Sequence, residues 1–131
     1  MILVTGGAGF IGSNLVQRLN KLGYQNIVIV DNLTNGYKFK NLMNLKFDDL
    51  ISKTDFYNNI EKYDQFKFVF HQGACSDTTN WDGQYMMKNN YDNSKTLLDW
   101  SLRHKIPFVY ASSAAVYDSG KNIFAEDNLF L

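Results

Sequence analysis

The segment Thr5-Gly6-Gly7-Ala8-Gly9-Phe10-Ile11-Gly12 constrains this chain more than any other. It follows a short apolar run, Ile2 to Thr5, that reads as a buried strand. It precedes Ile11, Leu15, Leu19 and Leu22, which recur at helical spacing, with Gly23 where a helix C-cap belongs. A strand that turns through glycines into a helix opens a parallel α/β sheet, and each glycine has a task there. Gly6 permits the tight turn, Gly9 lets backbone approach a pyrophosphate, and Gly12 allows close packing of helix on strand. A pyrophosphate in that turn meets unpaired N–H groups and the positive end of the helix dipole. Glycine spacing alone is a weak signal. The preceding strand, the following helix and Asp31 about 20 residues on make it specific.

The rest of the chain continues the same alternation. Ile27 to Val30 is a second apolar strand closed by Asp31, and Asn32 to Leu42 is polar and turn-rich. Leu45 to Phe47 is expected to form a short third strand. Asp55 to Tyr63 can form a helix with Phe56, Ile60 and Tyr63 on one face, and Phe68 to His71 reads as the next strand. From Trp81 to His104, the stripe Met87, Tyr91, Leu98 and Leu102 predicts a long helix. Ile106 to Ala111 gives a fifth strand, with Pro107 tolerated at its start. Strands alternating with helices predict a doubly wound parallel sheet of order 3-2-1-4-5, covered on both faces. A full sheet of this type has further strands. Residues 1–131 are therefore expected to be one dinucleotide-binding domain, truncated on its C-terminal side and without a substrate domain.

Composition removes several function classes. Thirteen basic and 13 acidic side chains cancel, leaving no field to gather nucleic acid or an anionic membrane. The start carries no basic region ahead of an apolar stretch, and no apolar run approaches the ~20 residues that span a bilayer. The single cysteine, Cys75, excludes an internal disulfide and fits a reducing compartment, so a cytoplasmic protein is expected. His71 and His104 are distant in sequence, and no metal site is expected. His71 reads as a structural residue or a neighbour of the cofactor loop, and Cys75 as a small packed residue rather than a nucleophile.

Asp31, at the end of strand two, is placed to hydrogen-bond an adenosine ribose, which by itself favours NAD. Lys38 and Lys53 leave that choice open. They are either solvated surface cations or, if the polar loop folds back beside Asp31, partners for the 2′-phosphate of NADP.

Several further segments carry a resemblance. Thr5 to Gly12, Asp31-Asn32-Leu33, His71-Gln72-Gly73-Ala74-Cys75-Ser76, Trp81-Asp82-Gly83, Tyr85-Met86-Met87, Asn89-Asn90-Tyr91 and Ala111-Ser112-Ser113-Ala114-Ala115 resemble the ADP-L-glycero-D-manno-heptose 6-epimerase family, a branch of the extended short-chain dehydrogenases. The glycine motif is shared widely; the His71–Ser76 and Trp81–Met87 segments are the more specific. The resemblance implies NADP as cofactor, held by Phe10, Ile11, Asp31, Asn32, Lys38, Lys53, Gln72, Gly73, Ala74, Cys75, Ser76 and Asn89 together with the glycine turn. It implies a nucleotide-heptose substrate, homo-oligomers, and Ser113 as the serine that positions the reacting hydroxyl. The chemistry implied is oxidation and re-reduction. A tyrosine takes the C6″ hydroxyl proton as hydride passes to the nicotinamide. The ketone then turns, and hydride returns to its opposite face.

Such a tyrosine, unperturbed near ~10, needs a lysine one helical turn away to act at neutral pH. Three pairs match that spacing: Tyr63–Lys67, Tyr91–Lys95 and Tyr117–Lys121. The first runs from a helix end into a strand, the second precedes Ser113 where the family's pair follows it, and the third spans the turn Asp118-Ser119-Gly120. The catalytic Tyr–Lys pair is therefore expected to be absent, and the chain alone is expected to be inactive. The alternatives are another nucleotide-sugar epimerase or dehydratase, or a non-catalytic module that binds NADP.

Overall fold

A computed structural model describes residues 1–113. Five strands, β1 (Ile2–Thr5), β2 (Ile27–Asp31), β3 (Asp49–Ser52), β4 (Phe68–His71) and β5 (Phe108–Tyr110), form one sheet in the order β3-β2-β1-β4-β5, and every pairing is parallel. This is the doubly wound order expected. Parallel strands covered on both faces need continuous apolar runs, and all five residues of β2 are buried.

Alternation along the strands splits the core in two. On one face Leu3, Val28, Val30 and Val69 pack with Phe56, Phe66, Leu97 and Trp100, beneath helices α3 (Lys53–Asn58) and α5 (Asn93–Arg103). On the other face Val4, Ile27 and Ile29 pack against Val16 and Leu19 of helix α1 (Phe10–Lys21). Removing side chains such as Phe56 or Trp100 from water contributes on the order of 2–3 kcal/mol each. Gly23, with φ +91°, ends α1 one residue past its C-cap Leu22, as a glycine there should.

Four local expectations are corrected. The third strand is not Leu45–Phe47 but Asp49–Ser52: pairing begins where the Asp48 N–H donates to the Ile27 carbonyl (2.7 Å), while Leu45 and Phe47 pack beside the α1-side core. The helix expected over 55–63 breaks into α3 and a 3₁₀ turn, Ile60–Lys62, although Phe56 and Ile60 both reach the core. The long helix is interrupted too. A short helix α4 (Gly83–Met86) passes through a π-helical segment, Met87–Asp92, into α5. Its stripe Met87, Tyr91, Leu98 and Leu102 faces outward, between 38% and 66% exposed, and the buried face is Asn89, Leu97, Trp100 and Ser101. The outer face is the more apolar one, so a periodicity argument selects it. Trp100, with far more surface to bury, turns the other side to the sheet. The last strand is likewise shorter than expected, Phe108–Tyr110 within the range 106–111.

The register fixes what meets at the sheet's C-terminal edge. Thr5 lies opposite Val30 on one side and His71 on the other, and Asp31 lies opposite Ser52. The turns that follow β1, β2, β3 and β4 therefore begin side by side. Chain direction across the sheet reverses between β1 and β4, where such folds bind ligands.

Candidate functional site

A cleft of about 400 Å³ opens at that point, within the range typical of ligand sites. Its lining includes Gly6, Gly9, Phe10, Ile11, Gly12, Asp31, Asn32, Lys38, Lys53, Gln72, Gly73, Ala74, Cys75, Ser76 and Asn89. Every residue expected to meet a dinucleotide is thus brought to one place. Ser113 is not: it follows β5, exposed, and among the described residues does not join the cleft lining. Tyr117 and Lys121 lie outside the described residues.

The floor is built from two loops in contact. Gly6 adopts φ +69°, and a Cβ there would come within 2.7 Å of the Gln72 carbonyl carbon and the Gly73 nitrogen. A Cβ on Gly12 would stand 2.2 Å from the Gly6 carbonyl oxygen. Only glycine lets the β1 turn, the α1 start and the β4 loop approach this closely. The N-terminus of α1 has no side-chain cap and no acidic residue in its first turn, so its positive end is left for a ligand at the cleft wall. Phe10, 80% exposed, stands at the mouth of the cleft.

At the other end, Asp31 is closely tied. Its Oδ2 accepts the Ala8 N–H (2.8 Å), and its Oδ1 accepts the Asn32 N–H (2.6 Å) and the Lys38 ammonium (2.8 Å). The polar loop does fold back: Lys38 also donates to the Asn32 carbonyl at 3.1 Å. Asn41 steadies the arrangement from helix α2 (Phe39–Leu42), donating to the Ala8 carbonyl at 2.8 Å. Lys53, the first residue of α3, donates to Asn89 Oδ1, and its ammonium lies 5.9 Å from the Tyr85 ring centre. Burial lowers the Lys53 pKa below the usual lysine value; Asp31 opposes this, and the charges of Lys38 and Lys88 reinforce it. A negative group entering beside Lys38 and Lys53 would meet two cations and relieve that strain. The glycine cradle, the uncapped helix start, the Asp31 carboxylate at the end of β2 and the ammonium groups of Lys38 and Lys53 together fit a dinucleotide.

The residues not foreseen are mostly those that shape the β4 loop. Asn90 grips Cys75 from both sides, accepting its N–H at 2.7 Å and donating to its carbonyl at 2.9 Å. The wider π-helical turn lets consecutive Asn89 and Asn90 both reach the cleft side, one to Lys53 and one to Cys75. An Asn-Asn pair inside a helix, poor by propensity, was the available sign. Thr5, Val30, Tyr57, Tyr85 and Asn93 also line the cleft. Burial pushes the Tyr57 phenol above its ordinary pKa, so it stays protonated. Neither of the two tyrosine–lysine spacings within the described residues, Tyr63–Lys67 and Tyr91–Lys95, joins the cleft lining. Tyr63 stacks against Phe56 and Phe66 in the core, and Tyr91 is exposed on the outer helix face. No group of three or more metal-ligating side chains occurs among the described residues, and no helix among them is long and apolar enough to cross a membrane.

Fold and cleft define the class: a doubly wound α/β protein with a glycine-lined cleft at its switch point. Residues 2–130 match the NAD dependent epimerase/dehydratase family, and the chain belongs to it. Among solved structures it is similar to the ADP-L-glycero-D-manno-heptose-6-epimerase of Helicobacter pylori, at 34% identity and a TM-score of 0.78 over 97% of this chain and 43% of that one. It is also similar to the UDP-glucuronic acid 4-epimerase of Bacillus cereus in complex with NAD, at 28% identity and a TM-score of 0.78 over 96% of this chain and 44% of that one. The UDP-N-acetylglucosamine 4-epimerase of Methanobrevibacter ruminantium M1 follows at 31% identity and a TM-score of 0.77, covering 97% and 42%. The chain spans less than half the length of each of these proteins.

Proposed function

We propose that the cleft binds NADP and that the chain carries the dinucleotide-binding half of an ADP-L-glycero-D-manno-heptose 6-epimerase, acting on the nucleotide heptose of the lipopolysaccharide inner core. The observation that carries the cofactor reading is the Lys38–Asp31 pair. In a site for NAD the carboxylate at the end of β2 is free to accept ribose hydroxyls. Here it already accepts two backbone N–H groups and an ammonium, which leaves little capacity for a ribose, and the Lys38 ammonium beside it is a partner suited to a 2′-phosphate. Lys53 supplies a second cation on the same wall. The heptose reading rests on the His71–Ser76 and Trp81–Met87 segments and on the likeness to the Helicobacter pylori enzyme.

The protein's part in such chemistry is to bind and orient. The α1 start and the glycine turn receive the pyrophosphate, Lys38 and Lys53 the 2′-phosphate, and the Gln72–Ser76 loop, held by Asn90, the nicotinamide side. The nicotinamide, when bound, supplies reversible hydride exchange. Ser113 is assigned to the substrate hydroxyl. Among the described residues no tyrosine followed four residues later by a lysine lines the cleft, and residues 1–131 alone are proposed to bind NADP without turnover. Fluorescence titration with NADPH and NADH tests the reading. Tighter NADPH supports it. Tighter NADH overturns it in favour of an NAD-dependent UDP-sugar 4-epimerase like that of Bacillus cereus, and detectable turnover of ADP-heptose by the chain overturns the inactivity.

A further inference from the structure

Beneath the cleft floor lies a chain of polar contacts to which none of the binding roles above refers. His71, the last residue of β4, is buried, with Phe108 of β5 packed at 5.8 Å between ring centres. Its two ring nitrogens meet hydroxyls from two other elements. Nδ1 lies 2.5 Å from Thr5 Oγ1 at the end of β1, and Nε2 lies 2.7 Å from Ser94 Oγ near the start of α5. Thr5 is buried as well, and its Oγ1 accepts the Gly73 N–H at 3.3 Å.

The donors and acceptors can be assigned. Thr5 Oγ1 already accepts from Gly73, and its own buried proton needs an acceptor; the group facing it is Nδ1. Nδ1 is then unprotonated, and a neutral ring carries its proton on Nε2, which donates to Ser94 Oγ. The opposite tautomer would leave the Thr5 hydroxyl proton, at 2% exposure, with no acceptor among the described residues. Burial pushes the His71 pKa down to about 4, so the ring is neutral at ordinary pH. The groups facing it from β1 and α5 are hydroxyls, and from β5 an aromatic ring, so none of these contacts supplies a charge that would hold a proton on it.

The end of this relay is the place where spacing matters most. Thr5 also accepts the Gln72 N–H on its backbone carbonyl at 3.0 Å, so Thr5 holds two successive amides of the β4 loop. Those residues lie against Gly6, where a single added carbon would fall within 2.7 Å of Gly73 N. The Thr5 hydroxyl thus holds Gly73 where the β4 loop meets the glycine turn, and both line the cleft.

We propose that His71 is a positioning residue of this cleft: as a neutral Nε2–H imidazole it orients the Thr5 hydroxyl, which holds the Gly73 amide and sets the spacing of the two loops that form the floor. Its effect on cofactor rests on the dinucleotide reading above; its effect on Gly73 does not.

Two measurements decide it. Ring ¹⁵N spectra of the unsubstituted chain, with His104→Gln to assign the other histidine, are expected to show Nε2 protonated and Nδ1 bare from roughly pH 8 to 5.5. A Nδ1–H tautomer or an imidazolium at pH 6 overturns the relay, and needs no variant of His71 to fold. Thr5→Val, His71→Leu and the double variant are then compared by Gly73 amide exchange and by NADP and NAD affinity. Each single variant is expected to speed Gly73 exchange by about tenfold or more and to weaken both nucleotides by a similar factor, with the double variant no worse than either. Additive losses, or unchanged Gly73 exchange, overturn the proposal and leave His71 a packing residue. If the unsubstituted chain binds neither nucleotide, the dinucleotide reading falls, while the ring tautomer and Gly73 exchange still decide the relay.

Discussion

Gly12→Ala tests whether the glycine turn is as tightly closed as the structure has it. The added Cβ would sit 2.2 Å from the Gly6 carbonyl oxygen, more than an ångström inside ordinary contact, and 2.8 Å from Gly6 C and Gly7 Cα, also too close. The obstacle is backbone, so no side-chain rotation relieves it. Moving Gly6 strains its N–H bond to the Val30 carbonyl (2.7 Å) and the Gly9 N–H bond to its own carbonyl (3.0 Å). Moving α1 instead lifts Val16 and Leu19 off the sheet. Overpacking of a core costs about 1–3 kcal/mol, and a rigid obstacle puts this case at the upper end. For a domain of this size roughly 3 kcal/mol lowers Tm by about 10 °C. The assay is thermal unfolding by circular dichroism, with Gly36→Ala as control, because a Cβ at Gly36 meets nothing within 4 Å. The control is expected to be neutral or to gain up to about 1 kcal/mol through a less flexible unfolded chain. A Gly12→Ala Tm within about 2 °C of the parent, or equal to the control's, would refute the reasoning.

Other perturbations separate charge from packing. Asp31→Asn removes the charge that pairs with Lys38 and is expected to shift relative affinity toward NADP by about tenfold, read by titration with both nucleotides; a shift toward NAD would contradict it. The His71 pKa predicts acid sensitivity. The unfolded ring takes its proton near 6.5 and the folded ring only near 4, so its contribution, on the order of 3 kcal/mol, is complete above pH 6.5 and lost as pH falls toward 4. Urea unfolding across that window should show the slope in the parent and lose it in His71→Leu; equal slopes would dismiss the assignment. Arg103 and Glu61 meet at 2.6 Å but both are largely exposed, so Arg103→Ala should leave Tm nearly unchanged, and a large drop would show that the pair is more than a screened surface contact.

How much of this was legible in the sequence depends on whether a residue's task is local. The glycine turn, the strand order and the cleft-lining residues follow from a motif whose parts lie close together in the chain, and from a resemblance that spans most of it. The third strand was misplaced because Leu45 and Phe47 are apolar for packing reasons, whereas β3 (Asp-Leu-Ile-Ser) is half polar at a sheet edge. The helix face was misjudged because apolar count, not side-chain area, drives a periodicity argument, and Trp100 outweighed a stripe of four. Asn90 and the His71 relay were invisible for a different reason. Each joins residues far apart in sequence, Thr5 to His71 and Cys75 to Asn90, and only the sheet register and a π-helical turn bring them together.

The most direct test of the central claim is calorimetric titration of NADP and of NAD into the chain and into Lys38→Ala. The account predicts saturable binding, NADP the tighter by about tenfold or more, and a Lys38→Ala variant that loses most of that preference while keeping its affinity for NAD. No binding of either nucleotide, or a preference for NAD that Lys38→Ala leaves untouched, would contradict it.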